Sequence, residues 1–380
     1  MAKQLFYFIL FLCSFFVSPH LPSEEIADGI SYKRIAKEGP LIIHILEVDP
    51  HKVYIDLVLA KGYPMQLQTV SEIAKQHGAI AAINSGFFRE EGEYAGTASG
   101  ALKVQGRWIS TSEKIRSAIG WTAKKNELLL DRISTKTWIR SPLFTFPVSS
   151  LNQPFSEDKA IVYKQPYFPS TLAKGSLQEI ITDSRNKVRN FLKTVNNTIP
   201  VEGMVVAIGE NYPNKLPPLS LKDKLSLSVD VVPYLQPSAA PAWQDVDYLV
   251  GGAAMLISRG QCITDQSAEN VRSSFLLHRH PRTAIGILEN AHWVFVVVEG
   301  RQPTTSVGMT MEELSTFMLE LQCKDAINLD GGGSSTMFIQ SQVVNATSGD
   351  DPHDGVLRNI STTPSMERPV SDSIIIRTRK

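Results

Sequence analysis

Apolar residues in this chain gather in short bursts, many of them alternating with polar ones, and only once settle into a sustained helical period. Leu41–Val48 and Val53–Leu59 are two such bursts, and Asp49-Pro50 between them predicts a hairpin. Thr69 to His77 predicts a short helix, capped by Thr69 or Ser71 and stopped by Gly78. Ala79–Ile83 then forms a buried strand that runs into Asn84-Ser85-Gly86-Phe87-Phe88. A strand–turn–strand pattern occurs twice, once from Arg116-Ser117-Ala118-Ile119-Gly120-Trp121 and once from Arg282-Thr283-Ala284-Ile285-Gly286-Ile287, and suggests two similar hairpins in one sheet system. Residues 142–241 are proline-rich, with strands at Ala160–Tyr163, Gly203–Ile208 and Leu225–Val232, and read as a β-rich lobe; Ser184–Thr194 is the one stretch there with helical character. Tyr248–Ile257 is a strand bent at Gly251-Gly252. The strongest helix is Thr310–Gln322: Thr310 and Glu313 form a capping box, and Leu314, Phe317, Met318 and Leu321 line one side. With the strands on either side it makes a strand–helix–strand unit. The fold class expected from this pattern is α/β, in an α+β-like form: a mixed β-sheet with flanking helices and the β-rich middle lobe.

The chemistry concentrates at Ala326-Ile327-Asn328-Leu329-Asp330-Gly331-Gly332-Gly333-Ser334-Ser335-Thr336. A buried strand there delivers Asn328 and Asp330 to a loop of three glycines, a costly composition unless backbone must approach something closely. Such a loop can hold an anion or a sugar hydroxyl, or can be an ordinary turn capped by Asp330. It is neither a Walker loop nor a dinucleotide fingerprint. Asn84, on the earlier strand of the same shape, either converges on this site or makes an Asx turn.

Charge narrows the partners. Lys+Arg 38 against Asp+Glu 38 leaves the chain neutral, which argues against a general nucleic-acid binder. Leu5–Val17 is an apolar run of about 13 residues after Lys3, shorter than the ~20 that span a bilayer. Residues 1–22 therefore read as a signal peptide, with an uncleaved anchor as the alternative and the only membrane contact expected. The address that follows is export: periplasm, cell envelope or secretion. Cys262 and Cys323 permit one disulfide or two free thiols, and no Cys/His spacing suggests zinc. The acidic run Asp350-Asp351-Pro352-His353-Asp354 reads as a solvated loop before a final strand, Ser373–Arg377.

Taken together, Asn84-Ser85-Gly86-Phe87-Phe88, Gly251-Gly252, Arg282-Thr283-Ala284-Ile285-Gly286, Glu299-Gly300-Arg301, the helix from Met309 and Asn328–Thr336 resemble the phosphodiester glycosidase family. Ser85 stands where that family usually has Gly, and Glu299 where it usually has Asp. The resemblance implies one catalytic domain over residues 25–380, with 142–241 a lobe within it, that cleaves a sugar from a phosphate joined through its anomeric carbon. It implies Asp330 as the carboxylate catalyst, Glu299 as its partner and Arg282 as the phosphate clamp. Asn84, Gly86, Thr283, Arg301, Asn328, Gly331, Gly332 and Ser334 would bind the substrate, a carbohydrate or glycosyl phosphate of envelope or extracellular glycans. His278 or His280 would be a proton donor or a structural histidine. No cofactor or metal is expected. Two other readings fit the same motifs: a glycan-binding envelope protein without turnover, and a glycosidase acting on substrates that carry no phosphate.

Overall fold

The computed structural model describes residues 23–63, 65–348 and 367–379; the segment read as a signal peptide and the acidic run Asp350–Asp354 lie outside them. Among the described residues, strands dominate. They form four sheets, and the four α-helices are short, from five residues to ten. The expected α/β class with flanking helices is therefore overturned: this is a mostly β protein. A helix-covered α/β sheet needs strand–helix units in succession. The described residues hold two such units, Val53–Leu59, Val70–Gln76 and Ala81–Asn84 in one sheet and Trp293–Val298, Met311–Glu320 and Cys323–Asn328 in another, and the other strands return mostly through turns and loops.

The largest sheet has eight strands, in the order Glu24–Ala27, Ile30–Lys37, Leu41–Val48, Trp293–Val298, Arg282–Leu288, Cys323–Asn328, Met255–Ser258 and Gln261–Cys262. It is antiparallel throughout. A five-stranded sheet orders Gln342–Val343, Met337–Ile339, Ala81–Asn84, Asp372–Thr378 and Val53–Leu59. A seven-stranded sheet is built on the long Leu129–Arg140 strand, with Arg116–Trp121 and Tyr248–Gly251 at its centre. The hairpin expected at Asp49-Pro50 does not form. Leu41–Val48 pairs with Ile30–Lys37 and Trp293–Val298, while Val53–Leu59 leaves for another sheet and pairs with the C-terminal strand. The two hairpins expected to share a sheet both form, but in different sheets.

These three sheets meet at one apolar core. Leu46, Ile285, Phe295 and Ile327 come from the first, Ile55, Ile83 and Ile374 from the second, and Ile119, Trp121 and Val250 from the third. Trp121 stands edge-on to Trp293 at 5.5 Å, and its indole donates to Ile55 O (3.0 Å), so one side chain ties all three together. The outer face of the large sheet is covered by Met311–Glu320, where the Thr310–Glu313 capping box is present and Leu314, Phe317 and Met318 are buried. Burying each such side chain is worth roughly 1.5–3 kcal/mol.

Residues 150–209 contain the fourth sheet, five strands with apolar clusters of their own around Val162 and Ile161. The helix expected over Ser184–Thr194 is instead a turn and the strand Val188–Leu192. Asp183 Oδ1 accepts from the N–H groups of Arg185 and Lys187 (both 2.9 Å), an Asx turn that folds the chain back on Leu177–Thr182. Cys262 and Cys323 are both free thiols, and burial pushes that of Cys323 up to about 12.

Candidate functional site

The ends of strands from two sheets are sewn together at Asn84. Its amide Nδ2 donates to Asp330 O (2.7 Å), and its Oδ1 accepts from the Thr283 hydroxyl (2.8 Å) and Thr336 N (3.2 Å). Asp330 N in turn donates to Ser85 O (3.1 Å), and Leu329 N to Thr283 O (2.8 Å). The sequence motifs around 84, 283 and 330 thus do converge, and Asn84 is the buried joint between them rather than a loose Asx turn. Asn328 makes the corresponding joint to the third sheet. Its Nδ2 donates to Ala253 O (3.0 Å) and its backbone oxygen accepts from Ala253 N (3.0 Å), just past the Gly251-Gly252 bend. Asn328 Oδ1 and Thr336 Oγ1 are buried with no hydrogen-bond partner among the described residues. Gly86 N donates to Asp372 Oδ1 (2.9 Å), which fixes the turn after Asn84 from the C-terminal strand.

The three glycines have three separate reasons. A Cβ on Gly331 would stand 2.9 Å from Pro281 O. One on Gly332, whose φ of +63° already favours glycine, would meet the Arg301 guanidinium at 3.0 Å. One on Gly333 would meet that of Arg368 at 2.6 Å. The loop lies flat so that two guanidinium groups can rest on its backbone. Ser334 is buried immediately after them.

Asp330 immediately precedes this loop and is 9 % exposed. Burial raises its pKa to about 7; the nearby Ser334 hydroxyl, the charge of Arg368 and the Gly331 N–H (2.9 Å to Oδ1) oppose the rise without cancelling it. Arg282, 1 % exposed, is spent differently from the expectation. Its Nε donates to Met309 O (2.9 Å) and its Nη2 to the carbonyls of Phe275 (2.8 Å) and His278 (3.0 Å), with the Phe275 ring 4.9 Å from the guanidinium. Burial and the neighbouring charge of Arg301 both disfavour its cationic form. A guanidinium nevertheless stays protonated in proteins, so Arg282 and Arg301 present two adjacent positive charges.

Glu299 is 4 % exposed and held by a chain that the sequence did not announce. Its Oε1 lies 2.8 Å from His44 Nε2 and accepts from Ala346 N (2.8 Å), and His44 Nδ1 lies 2.8 Å from the Tyr32 hydroxyl. The neutral Nε2–H tautomer of His44 satisfies every partner in this row. His44 stood out in the sequence only as a polar residue, with Glu47, inside an apolar strand. His278 offers its carbonyl to Arg282, and its ring lies 6.3 Å from that of His280. Arg368 and Asp372 carry no motif, and nothing in the sequence singled them out.

A cleft of about 960 Å³ opens beside the joint. Phe87, Gly252, Ala253 and Phe275 form its inner wall, and the rings of Phe87 and Phe275 meet edge to face at 6.0 Å. Asp330 stands behind this wall, connected to it through Asn328 and the Ser85–Gly86 turn, and does not itself line the cleft. Among the described residues no three His, Cys, Asp or Glu side chains gather as metal ligands, and no helix is long and apolar enough to cross a membrane.

A buried carboxyl before a glycine loop that carries two guanidinium groups, where three sheets meet, can now be set beside known proteins. The chain superposes on a hypothetical protein of Synechocystis with a TM-score of 0.77 at 19% identity, covering 94% of this chain and 64% of that one. It superposes on a Burkholderia pseudomallei K96243 protein, named as a candidate exported protein, with a TM-score of 0.71 at 20% identity over 89% and 74% of the two chains. At these identities the likeness is one of fold. The SPbeta prophage-derived protein YomE of Bacillus subtilis (strain 168) is 33% identical over 95 residues, which are 25% of this chain and only 14% of that relative. The family model for phosphodiester glycosidases matches residues 181–377, half of the chain and the whole of the Arg282, Glu299 and Asp330 region, and the chain belongs to that family.

Proposed function

We propose that this protein is an exported glycosidase that releases a sugar from an anomeric phosphodiester. The observation that carries the reading is the Asp330 carboxyl, lifted to about 7 by burial, acted on by the charge of Arg368 and adjoining the glycine loop on which Arg301 rests. In this mechanism the bond between the anomeric carbon and the phosphate oxygen breaks, and its electron pair leaves with the phosphate. The sugar ring gains positive charge, which ionised Asp330 stabilises while it takes a proton from the attacking water. Phosphate is a good leaving group, so cations at the departing oxygen matter more than a strong acid. Arg301 is the clamp, and Arg282, with three of its N–H bonds committed to carbonyls, reinforces it from behind and holds the His278 and Met309 segments in place. Glu299, locked to His44, fixes the strand end that carries Arg301. Asn84 and Thr283 keep the strand tips in register, and Asn328 ties the glycine-loop strand to the cleft wall at Ala253. The apolar N-terminal run of the sequence supports a substrate on envelope or extracellular glycans.

The test is turnover of sugar-1-phosphate alkyl diesters by the wild type and Asp330→Asn. The expected result is release of free sugar by the wild type and a loss in kcat of about 10²-fold or more in the variant, with KM little changed. The wild-type kcat/KM should rise with pH through a midpoint near 7, because the ionised carboxylate is the active form. Equal rates from both proteins would remove Asp330 from the chemistry, and faster turnover of phosphate-free glycosides would favour a plain glycosidase.

A further inference from the structure

The cleft beside the site carries far more positive charge than one phosphate requires. Its walls hold Arg89, Lys114, Arg116, Lys159 and Arg272 against a single acid, Glu113. None of the five cations forms an ion pair among the described residues; Arg116, for one, donates only to the neighbouring Ile115 carbonyl (3.0 Å). Elsewhere on the surface the cations Lys52, Lys174, Arg189 and Arg377 each sit on a carboxylate, whereas the cleft gathers five cations along its walls with one acid among them. The cleft also does not end where a small diester would. Glu113, Ser149 and Lys159 line both it and a second cavity of about 390 Å³, which runs along the lobe to Trp138 and Tyr212. At about 960 Å³ the first compartment alone reaches the upper end of small-molecule sites, which are ~300–1,000 Å³. The groove therefore has one end at the Phe275 and Gly252 wall that separates it from Asp330, a cationic middle, and a far end with two half-buried aromatic rings.

We propose that this groove binds a linear anionic glycan with a phosphodiester in each of several successive units, and that the enzyme works on such a polymer rather than on an isolated sugar phosphate. The unpaired cations take the phosphates beyond the one being cleaved, and Trp138 and Tyr212 offer apolar faces to sugar rings. Wall hydroxyls at Ser99 and Ser149 suit a hydroxyl-rich chain. The neutral net charge of the whole molecule argues for this ligand over a nucleic acid, which a general basic surface would attract. The proposal rests on the phosphodiester reading for the bond that is cut, but its binding arm does not need turnover.

Fluorescence anisotropy separates the two. A labelled tetramer of sugar units linked by phosphodiesters is titrated against wild type and Lys114→Gln/Lys159→Gln, beside the single diester, a neutral tetrasaccharide and a single-stranded oligonucleotide of equal charge. The expected result is tetramer binding at least tenfold tighter than either the single diester or the neutral chain. In the double variant the loss should grow with ligand length to about tenfold for the tetramer, with a melting temperature within a few degrees of wild type. Tight tetramer binding by a protein that cleaves none of these ligands would leave the groove proposal standing and sink the catalytic one. Equal affinity for tetramer and single diester, an unaffected double variant, or an oligonucleotide bound as tightly as the tetramer would each overturn the groove proposal.

Discussion

At the scale of single residues, Asp330 shows a functional group held against its own solvation. Its native pKa of about 7 lies above the ordinary carboxylate value of 3.8, so between those two values the folded protein binds more protons than the unfolded chain. Stability contributed by this group is thus fully present below about 3.8, falls as pH rises, and is lost above about 7. The full cost of ionising it is on the order of 4 kcal/mol. Asp330→Asn, which keeps the shape and discards the charge, is expected to melt several degrees above wild type at pH 8 and to lose most of that advantage at pH 4. Thermal melts at the two pH values check this, and a variant less stable than wild type at pH 8 would contradict it. The residues with motifs around them, Asn84, Thr283, Asn328 and Asp330, were legible in the sequence because short polar side chains at the ends of apolar strands have few uses. His44, Arg368 and Asp372 were not, because each acts through a partner hundreds of positions away, such as Glu299 for His44, Glu90 for Arg368 and Gly86 for Asp372.

At the scale of elements, apolar periodicity found many of the strands, and the cap at Thr69 or Ser71 and the capping box at Thr310 marked two of the four described α-helices to within a residue or two, while Ala240–Asp245 and Ser273–Leu277 went unread. It could not find strand partners. Leu41–Val48 and Val53–Leu59 look like a hairpin because they are adjacent and both apolar, yet each is completed by a strand from the far end of the chain. The α/β expectation failed for a related reason: the two well-capped helices that lie between strands are only seven and ten residues long, too little to cover sheets built mostly from antiparallel strands. The triple glycine was legible as a place of close approach, but what approaches is arginine. That makes a prediction. In Gly333→Ala the new methyl would press on the Arg368 guanidinium, the flexible far end of a side chain, which should give way and carry its charge off Asp330. The Arg368 charge lowers the Asp330 pKa, so losing it should move the midpoint of the rising pH–rate limb upward by a measurable fraction of a unit, with little change in melting temperature. A profile superimposable on that of the wild type would show that Arg368 does not act on the carboxyl.

At the scale of the whole molecule, the site exists only because distant parts of the chain close on it, and the last strand is the closing piece. Asp372–Thr378 lies between Val53–Leu59 and Ala81–Asn84, with Ile374, Ile375 and Ile376 buried, and Asp372 at its start receives the Gly86 N–H. The turn that leads from Asn84 to the cleft wall at Phe87 is thereby positioned by a residue nearly 290 places later in the sequence. Asp372→Ala leaves that N–H without its acceptor, at a cost of ~1–3 kcal/mol. It also removes a carboxyl whose pKa burial raises, which offsets part of the loss at neutral pH. The net change in melting temperature should therefore be small. Catalysis has no such compensation, since a displacement of about 1 Å in a positioning segment can cost ~10²-fold in rate. The variant is expected to stay folded, to melt within a few degrees of wild type, and to lose tenfold or more in kcat/KM on a sugar-1-phosphate diester. Full activity in a folded Asp372→Ala protein would mean that the Ser85–Phe87 turn has no part in the site, and that the chemistry is confined to the glycine loop and its arginines.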